Sequence, residues 1–133
     1  MDPATRPRVV VAAAVIEHDR RFLVTRRPTG VHLEGYWEFP GGKCAAAETL
    51  ADCLRREIEE ELGTDSEVGV ELLVAAHDYA DRRVELHFMS CRLRGEPRPL
   101  LGQEMRWVSR HDLTALSFPP ADEALIALLS RSS

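Results

Sequence analysis

The sequence predicts an α/β fold, a mixed sheet held between helices, and three observations carry that expectation. Arg8 to Glu17 (RVVVAAAVIE) is an unbroken apolar run rich in valine, which suits a central strand covered on both faces. Leu50, Leu54, Ile58 and Leu62 recur every four residues in an otherwise charged stretch, the stripe of a helix lying on such a sheet. Two strand-like segments, Glu67 to Tyr79 and Val84 to Leu93, come after that stripe, and an apolar helix closes the chain. Strands on both sides of one helix, then a final helix, give a layered α/β/α arrangement.

In chain order, His18-Asp19-Arg20 is a short polar turn, and Arg21 to Arg27 is a second strand that ends before Pro28. Pro28 to Gly35, with two glycines and His32, reads as a surface loop. Tyr36 to Lys43 follows, and the paired Gly41 and Gly42 let the backbone bend tightly and present carbonyl oxygens to an ion. Thr49, with Asp52 three residues on, marks the start of a helix running to about Leu62, after which Gly63 supplies a left-handed residue. Ala80 to Arg83 turns one strand of a hairpin into the next, where Val84, Leu86 and Phe88 alternate with Glu85, His87 and Met89. Gly95 to Pro99 is a loop, Met105 to Val108 a last short strand, and Pro120 to Leu129 a terminal helix with proline early.

With 133 residues the chain suits one domain, 1–133. Its net charge of -5 argues against nucleic acid as a partner, because phosphate backbones are bound by clustered Lys and Arg. No leader pattern is present and Val9 to Ile16 is too short to span a bilayer, so a soluble cytoplasmic protein without membrane contact is expected. Cys44, Cys53 and Cys91 are odd in number and lack C-x2-C spacing, so reduced thiols are expected rather than a zinc site or a disulfide framework. Met1 to Pro7 and Ser130 to Ser133 are the expected flexible ends.

The chemistry concentrates on the acidic helix. Glu57, Glu60 and Glu61 stand at i, i+3 and i+4 and share one face. Three such carboxylates repel one another, and a hard divalent cation, magnesium first, relieves that repulsion. Glu59 falls on the opposite, solvated side. From Gly42 to Gly63 the spacing reads G-x5-E-x7-R-E-I-x-E-E-x-G, and on these residues the chain resembles the Nudix hydrolases, whose box adds an aliphatic residue where this chain has Thr64. The resemblance covers nearly the whole chain and implies a Nudix-type α/β/α sandwich. It also implies that Glu57 and Glu61 bind the metal (Mg2+, with Mn2+ as a substitute), with Glu60 and the Gly41 carbonyl as further ligands. Arg56 would orient the glutamates by ion pairing, Glu60 being its i, i+4 neighbour. Glu60, Arg56 and Glu104 are then the candidates for catalytic work, Glu104 as an acid recruited from outside the helix or simply a loop glutamate in water.

Trp37-Glu38-Phe39-Pro40-Gly41-Gly42-Lys43 and Phe118-Pro119-Pro120-Ala121-Asp122-Glu123 sharpen the resemblance toward the MutT-type nucleoside triphosphate pyrophosphohydrolases. It implies that Arg27, Phe39, Tyr79, Val84, Leu86 and Asp122 line or address the base, while Lys43 meets a phosphate. The plainer readings are core packing for Phe39, Val84 and Leu86, strand packing for Tyr79, a solvated loop for Lys43 and a helix cap for Asp122. MutT-type enzymes that recognise 8-oxoguanine carry asparagine where this chain has Asp122, and relatives acting on cytidine nucleotides share its Pro-Ala-Asp. Asparagine donates and accepts, whereas an ionised aspartate only accepts. The expected function is metal-dependent cleavage of a nucleoside triphosphate to monophosphate and pyrophosphate, sanitising the nucleotide pool with an 8-oxo-(d)GTP-like substrate. A (d)CTP pyrophosphohydrolase is the alternative. A nucleotide-binding Nudix module without turnover is an alternative of another class, and it would show a broken box where this one is whole. A monomer or weak homodimer is expected, with the nucleotide as its partner.

Overall fold

The computed structural model describes residues 6–31 and 34–131. Strand β1 (Arg8–His18) lies at the centre. It runs parallel to β6 (Arg83–Leu93) and antiparallel to the short β4 (Gly41–Lys43), and its far end makes a hairpin with β2 (Arg21–Arg26). Strand β2 is flanked by β3 (Trp37–Glu38) and β7 (Met105–Ser109), and β5 (Ser66–Asp78) pairs with β6 at the opposite edge. Seven strands therefore form one mixed sheet.

The apolar run of β1 is divided between two cores by the alternation of a strand. Ala12, Ala14 and Ile16 pack with Leu23, Cys53, Leu54, Ile58, Leu62 and Met89 under helix α1 (Leu50–Leu62). Ala13 and Val15 pack on the other face with Phe22, Phe39, Phe88, Leu113, Leu125 and Leu129. That second face is covered by a short helix α2 (Arg110–Leu113) and by the terminal helix α3 (Glu123–Arg131), which a 3-10 turn at Pro120–Asp122 introduces. Arg110 ties the two helices by donating to the Leu129 carbonyl at 2.8 Å. The α/β/α sandwich is thus the architecture of the chain, and the stripe on α1 faces the sheet as its spacing requires.

Local signals placed α1 well. Thr49 caps it, its hydroxyl accepting from the Asp52 amide at 3.1 Å, and Gly63 ends it at φ 68° with its amide on the Glu59 carbonyl. Thr49→Ala should remove that cap and lower stability by about 1 kcal/mol, read as a fall of about 4 °C in Tm. Thr64, the residue that departs from the box, is buried with its hydroxyl on the Asp65 carbonyl, so its polar group has a partner.

Several expectations are corrected. Arg27 lies outside β2, its amide turning instead to the Tyr36 carbonyl at 2.8 Å. The segment leading into the box holds β3 and β4, too short for an alternation pattern to show. The first residues are tied down in part: the Pro7 carbonyl accepts from the Arg83 amide at 2.9 Å, and Arg6 pairs with Asp78 at 3.4 Å. His32, Met1 to Thr5 and the last two serines lie outside the described residues. Cys44 and Cys53 are joined in a disulfide rather than held as thiols, and buried Cys91 is the free cysteine. Their Cα atoms stand 5.3 Å apart because the end of β4 folds back on the first turn of α1, a proximity that cysteine spacing alone does not reveal.

Candidate active site

The site forms where α1 meets the glycines of β4. Ala12 and Ala13 of β1 pair with Gly42 and Gly41, so β4 is drawn in against the central strand. A Cβ on Gly41 would stand 2.0 Å from the Ala12 carbonyl oxygen, and one on Gly42 would stand 2.4 Å from the Glu57 carboxylate. Only glycine lets the strand and the acidic helix approach this closely. The Gly41 amide donates to Glu61 Oε2 at 3.3 Å.

Arg56 fastens the loop to the helix. Its Nε and Nη2 each donate to the Glu48 carboxylate at 2.8 Å, Nη1 donates to Glu57 at 2.8 Å, and Nη2 also reaches the Lys43 carbonyl at 3.1 Å. The expected pair with Glu60 is the looser contact, at 3.4 Å to a half-exposed carboxylate. Two-point pairing of this kind is what a planar guanidinium does best. The Arg56 guanidinium and the Ala45 amide hold Glu48 down to about 2, so Glu48 stays ionised across the working pH range. Glu48 belongs to the box, but its role as the partner of Arg56 was not legible in the spacing.

Glu57 and Glu61 turn toward the glycines while Glu60 points outward, and among the described residues no three acidic, histidine or cysteine side chains close on one point. Like charges on one helix face account for that separation. Glu61 is pushed up to about 8, by burial first and then by the negative charges of Glu38 and Glu57.

Glu38 is the residue the sequence reading missed. It stands on β3 opposite Thr25, and its carboxylate takes a hydrogen bond from Arg27 at 2.9 Å. Its charge acts on both Glu61 and Asp122, so it lies near both the acidic cluster and the segment expected to read a base. Its place between Trp37 and Phe39 in the quoted motif was the available signal.

Asp122 is 5% exposed, and among the described residues nothing donates to its carboxyl. Burial, with Glu38 adding to it, pushes Asp122 up to about 7. It is therefore not the helix cap that was the plainer reading. Phe39, next to Glu38, stacks on Phe118 with ring centres 5.4 Å apart and meets Phe88 edge-on at 6.1 Å. Leu86 packs against the same cluster. Val84 lies one pair of residues farther along β6 and is half-buried. Tyr79 is not brought to this group: its ring packs against His77 and Arg82 at the tip of the β5–β6 hairpin. Glu104 pairs with Arg26 at 3.3 Å and Arg106 at 3.4 Å, and with Arg27 it walls a cleft of about 390 Å3. Lys43 is exposed and borders a second cleft on the α1 side of the sheet.

Residues 11–128 match the model of the NUDIX domain. The chain is a Nudix hydrolase. It is 34% identical to the 8-oxo-dGTP diphosphatase of Escherichia coli over 91% of this chain and 95% of that protein. It is 32% identical to the CTP pyrophosphohydrolase of the same organism, over 90% and 93% of the two chains. The solution structure of the E. coli ORF135 protein superposes with a TM-score of 0.83 at 30% identity, over 97% of this chain and 91% of that one.

As a Nudix pyrophosphohydrolase the chain needs a divalent metal, and the residues present fit one. Every candidate donor is a hard oxygen, from Glu57, Glu60, Glu61 and the Gly41 carbonyl. Glu61 is raised by burial first and by the charges of Glu38 and Glu57 second, and a cation beside it would offset both. Among the described residues, no helix is long and apolar enough to cross a membrane.

Proposed function

We propose that this Nudix hydrolase is a Mg2+-dependent pyrophosphohydrolase of nucleoside triphosphates, acting first on 8-oxo-guanine nucleotides and releasing the monophosphate and pyrophosphate. The observation that carries the reading is the position of Glu38, within electrostatic reach of both Glu61 in the acidic cluster and the buried Asp122. A nucleotide that laid its base along Phe39 and Asp122 would thereby bring its phosphates to the glutamates of α1. The E. coli relative named for 8-oxo-dGTP supports the choice of base.

The chain's own groups divide the work. Phe39, packed on Phe118 and Phe88, would form the apolar floor beneath the base, and Asp122 would read its edge. Lys43 offers a mobile positive charge to the phosphates. Arg56 keeps Glu57 and the loop carbonyls in place by binding Glu48, Glu57 and the Lys43 carbonyl together. Glu60, which is half-exposed, or Glu104, once released from Arg26, takes the proton of the attacking water. A bound divalent cation would neutralise charge on the phosphates and lower the pKa of that water. The reading also places the protein in the cytoplasm, as a monomer or weak homodimer that does not engage nucleic acid.

Cytidine nucleotides are the second reading, favoured by Pro120-Ala121-Asp122 and by similarity to a CTP pyrophosphohydrolase. A panel of 8-oxo-dGTP, dGTP, CTP, dCTP, UTP, diadenosine tetraphosphate and ADP-ribose with Mg2+ tests both. The expected result is the highest kcat/KM on 8-oxo-dGTP, with pyrophosphate as the inorganic product. Preference for a cytidine nucleotide selects the second reading, and preference for ADP-ribose or diadenosine tetraphosphate overturns both.

A further inference from the structure

We infer that Cys44 and Cys53 form a redox-active cystine which fastens the metal-binding loop to α1, and that a dithiol reductant reaching Cys44 loosens the metal site. Both cysteines stand at positions that the G-x5-E-x7-R-E pattern leaves open, so the hydrolytic chemistry itself does not call for them. Their bond nevertheless closes the first half of the box: Cys44 follows Lys43 at the end of β4, and Cys53 lies on the first turn of α1. Across the same gap runs the Arg56 clamp, from the helix to the Lys43 carbonyl and to Glu48. The cystine and the arginine are thus two fastenings of one loop, and that loop sets Gly41 and Gly42 against Glu61 and Glu57.

The two sulfurs differ in access. Cys53 is fully buried, whereas Cys44 borders a cleft of about 510 Å3 shared with Arg8, Lys43, Glu48 and His87. A reductant thiolate, an anion, enters beside Arg8 and Lys43 and attacks the Cys44 sulfur. The bond to Cys53 breaks, its electron pair goes to the Cys53 sulfur, and that sulfur takes a proton from solvent. The second thiol of the reductant, losing its proton, then displaces Cys44, which leaves and is protonated in turn. Two electrons and two protons have passed to the protein, and the reductant leaves as its own disulfide. In a cytoplasmic protein such bonds are usually transient and sensing rather than structural. With the bond open, the loop depends on Arg56 and on the pairing of β4 with β1, and weakened support of metal ligands typically costs tenfold or more in affinity.

The test measures metal binding without substrate, so it stands or falls separately from the proposed activity. The metal-free full chain is prepared oxidised, and again after reduction with dithiothreitol that is then removed under nitrogen. Thiols are counted by alkylation of the denatured protein, and Mn2+ affinity is read by electron paramagnetic resonance. The expected result is one alkylated cysteine in the oxidised protein and three in the reduced, with the Mn2+ Kd raised roughly tenfold by reduction and restored by reoxidation. Cys91→Ser should keep this response, and Cys44→Ser and Cys53→Ser should stay at the weak value in either state. Three alkylated cysteines in the oxidised protein, a Kd unchanged by reduction, or a response lost in Cys91→Ser would each overturn the inference.

Discussion

Glu61→Gln is expected to lower kcat by two to three orders of magnitude while leaving the protein as stable as before or more so. On the proposed reading the loss follows from removing a negative oxygen donor to the cation that would neutralise the phosphates, and groups that stabilise developing charge are typically worth about that much. The unaltered or improved stability follows from burial beside Glu38 and Glu57, which pushes Glu61 up to about 8. A carboxyl whose folded value lies above its unfolded one lowers stability progressively once pH passes the unfolded value, because the unfolded chain ionises first. The penalty is absent below the ordinary carboxylate value of about 4.3, grows as pH rises, and is complete above about 8. Without metal, the Tm advantage of Glu61→Gln over the parent should therefore widen between pH 5 and pH 9, and added Mg2+ should narrow it. Glu60→Gln, at a half-exposed position, should lose activity without any such gain in Tm. Near-normal turnover in both variants would remove these glutamates from the chemistry.

The second large effect concerns the base. Ionised Asp122 accepts hydrogen bonds, suiting an exocyclic amine, and leaves the carbonyl of uracil or thymine facing a negative charge. An unmatched polar group in a pocket costs about 1 to 3 kcal/mol, roughly ten-fold to more than a hundred-fold in kcat/KM. Burial and Glu38 raise Asp122 to about 7, however, so below that pH the neutral acid both donates and accepts, as asparagine does. Discrimination against UTP and dTTP should therefore be weak at pH 6 and strong at pH 8.5. Asp122→Asn should make it weak and flat across that range and move preference toward 8-oxo-dGTP. The same variant should gain Tm relative to the parent above pH 7 and not below pH 4, because the penalty for burying this carboxyl builds up between the ordinary carboxylate value and about 7. A substrate preference that is the same in parent and variant at every pH would show that Asp122 does not touch the base.

Much of this chain is written in short-range patterns. The stripe of Leu50, Leu54, Ile58 and Leu62, the Thr49 cap and the left-handed Gly63 are local signals, and α1 begins and ends where they place it. The unbroken run in β1 announced a strand covered on both faces because a single face cannot bury consecutive apolar residues. The spacing of Gly42, Arg56, Glu57, Glu60 and Glu61 identified the family, since metal chemistry demands certain residue types at certain turns of a helix.

What the sequence could not determine depends on residues far apart along the chain. Arg56 prefers Glu48 and Glu57 to Glu60 because the loop folds back over the helix, a geometry that i, i+4 counting does not contain. Glu104 meets Arg26 because β7 lies beside β2. The charge of Glu38 reaches both Glu61 and Asp122 only once β3 is paired with β2. Cys44 and Cys53 became partners through the same folding back. Residue types and helical spacing therefore determined the fold class and the family, while long-range packing decided which charges meet, which carboxyls are buried and how the loop ahead of α1 is held.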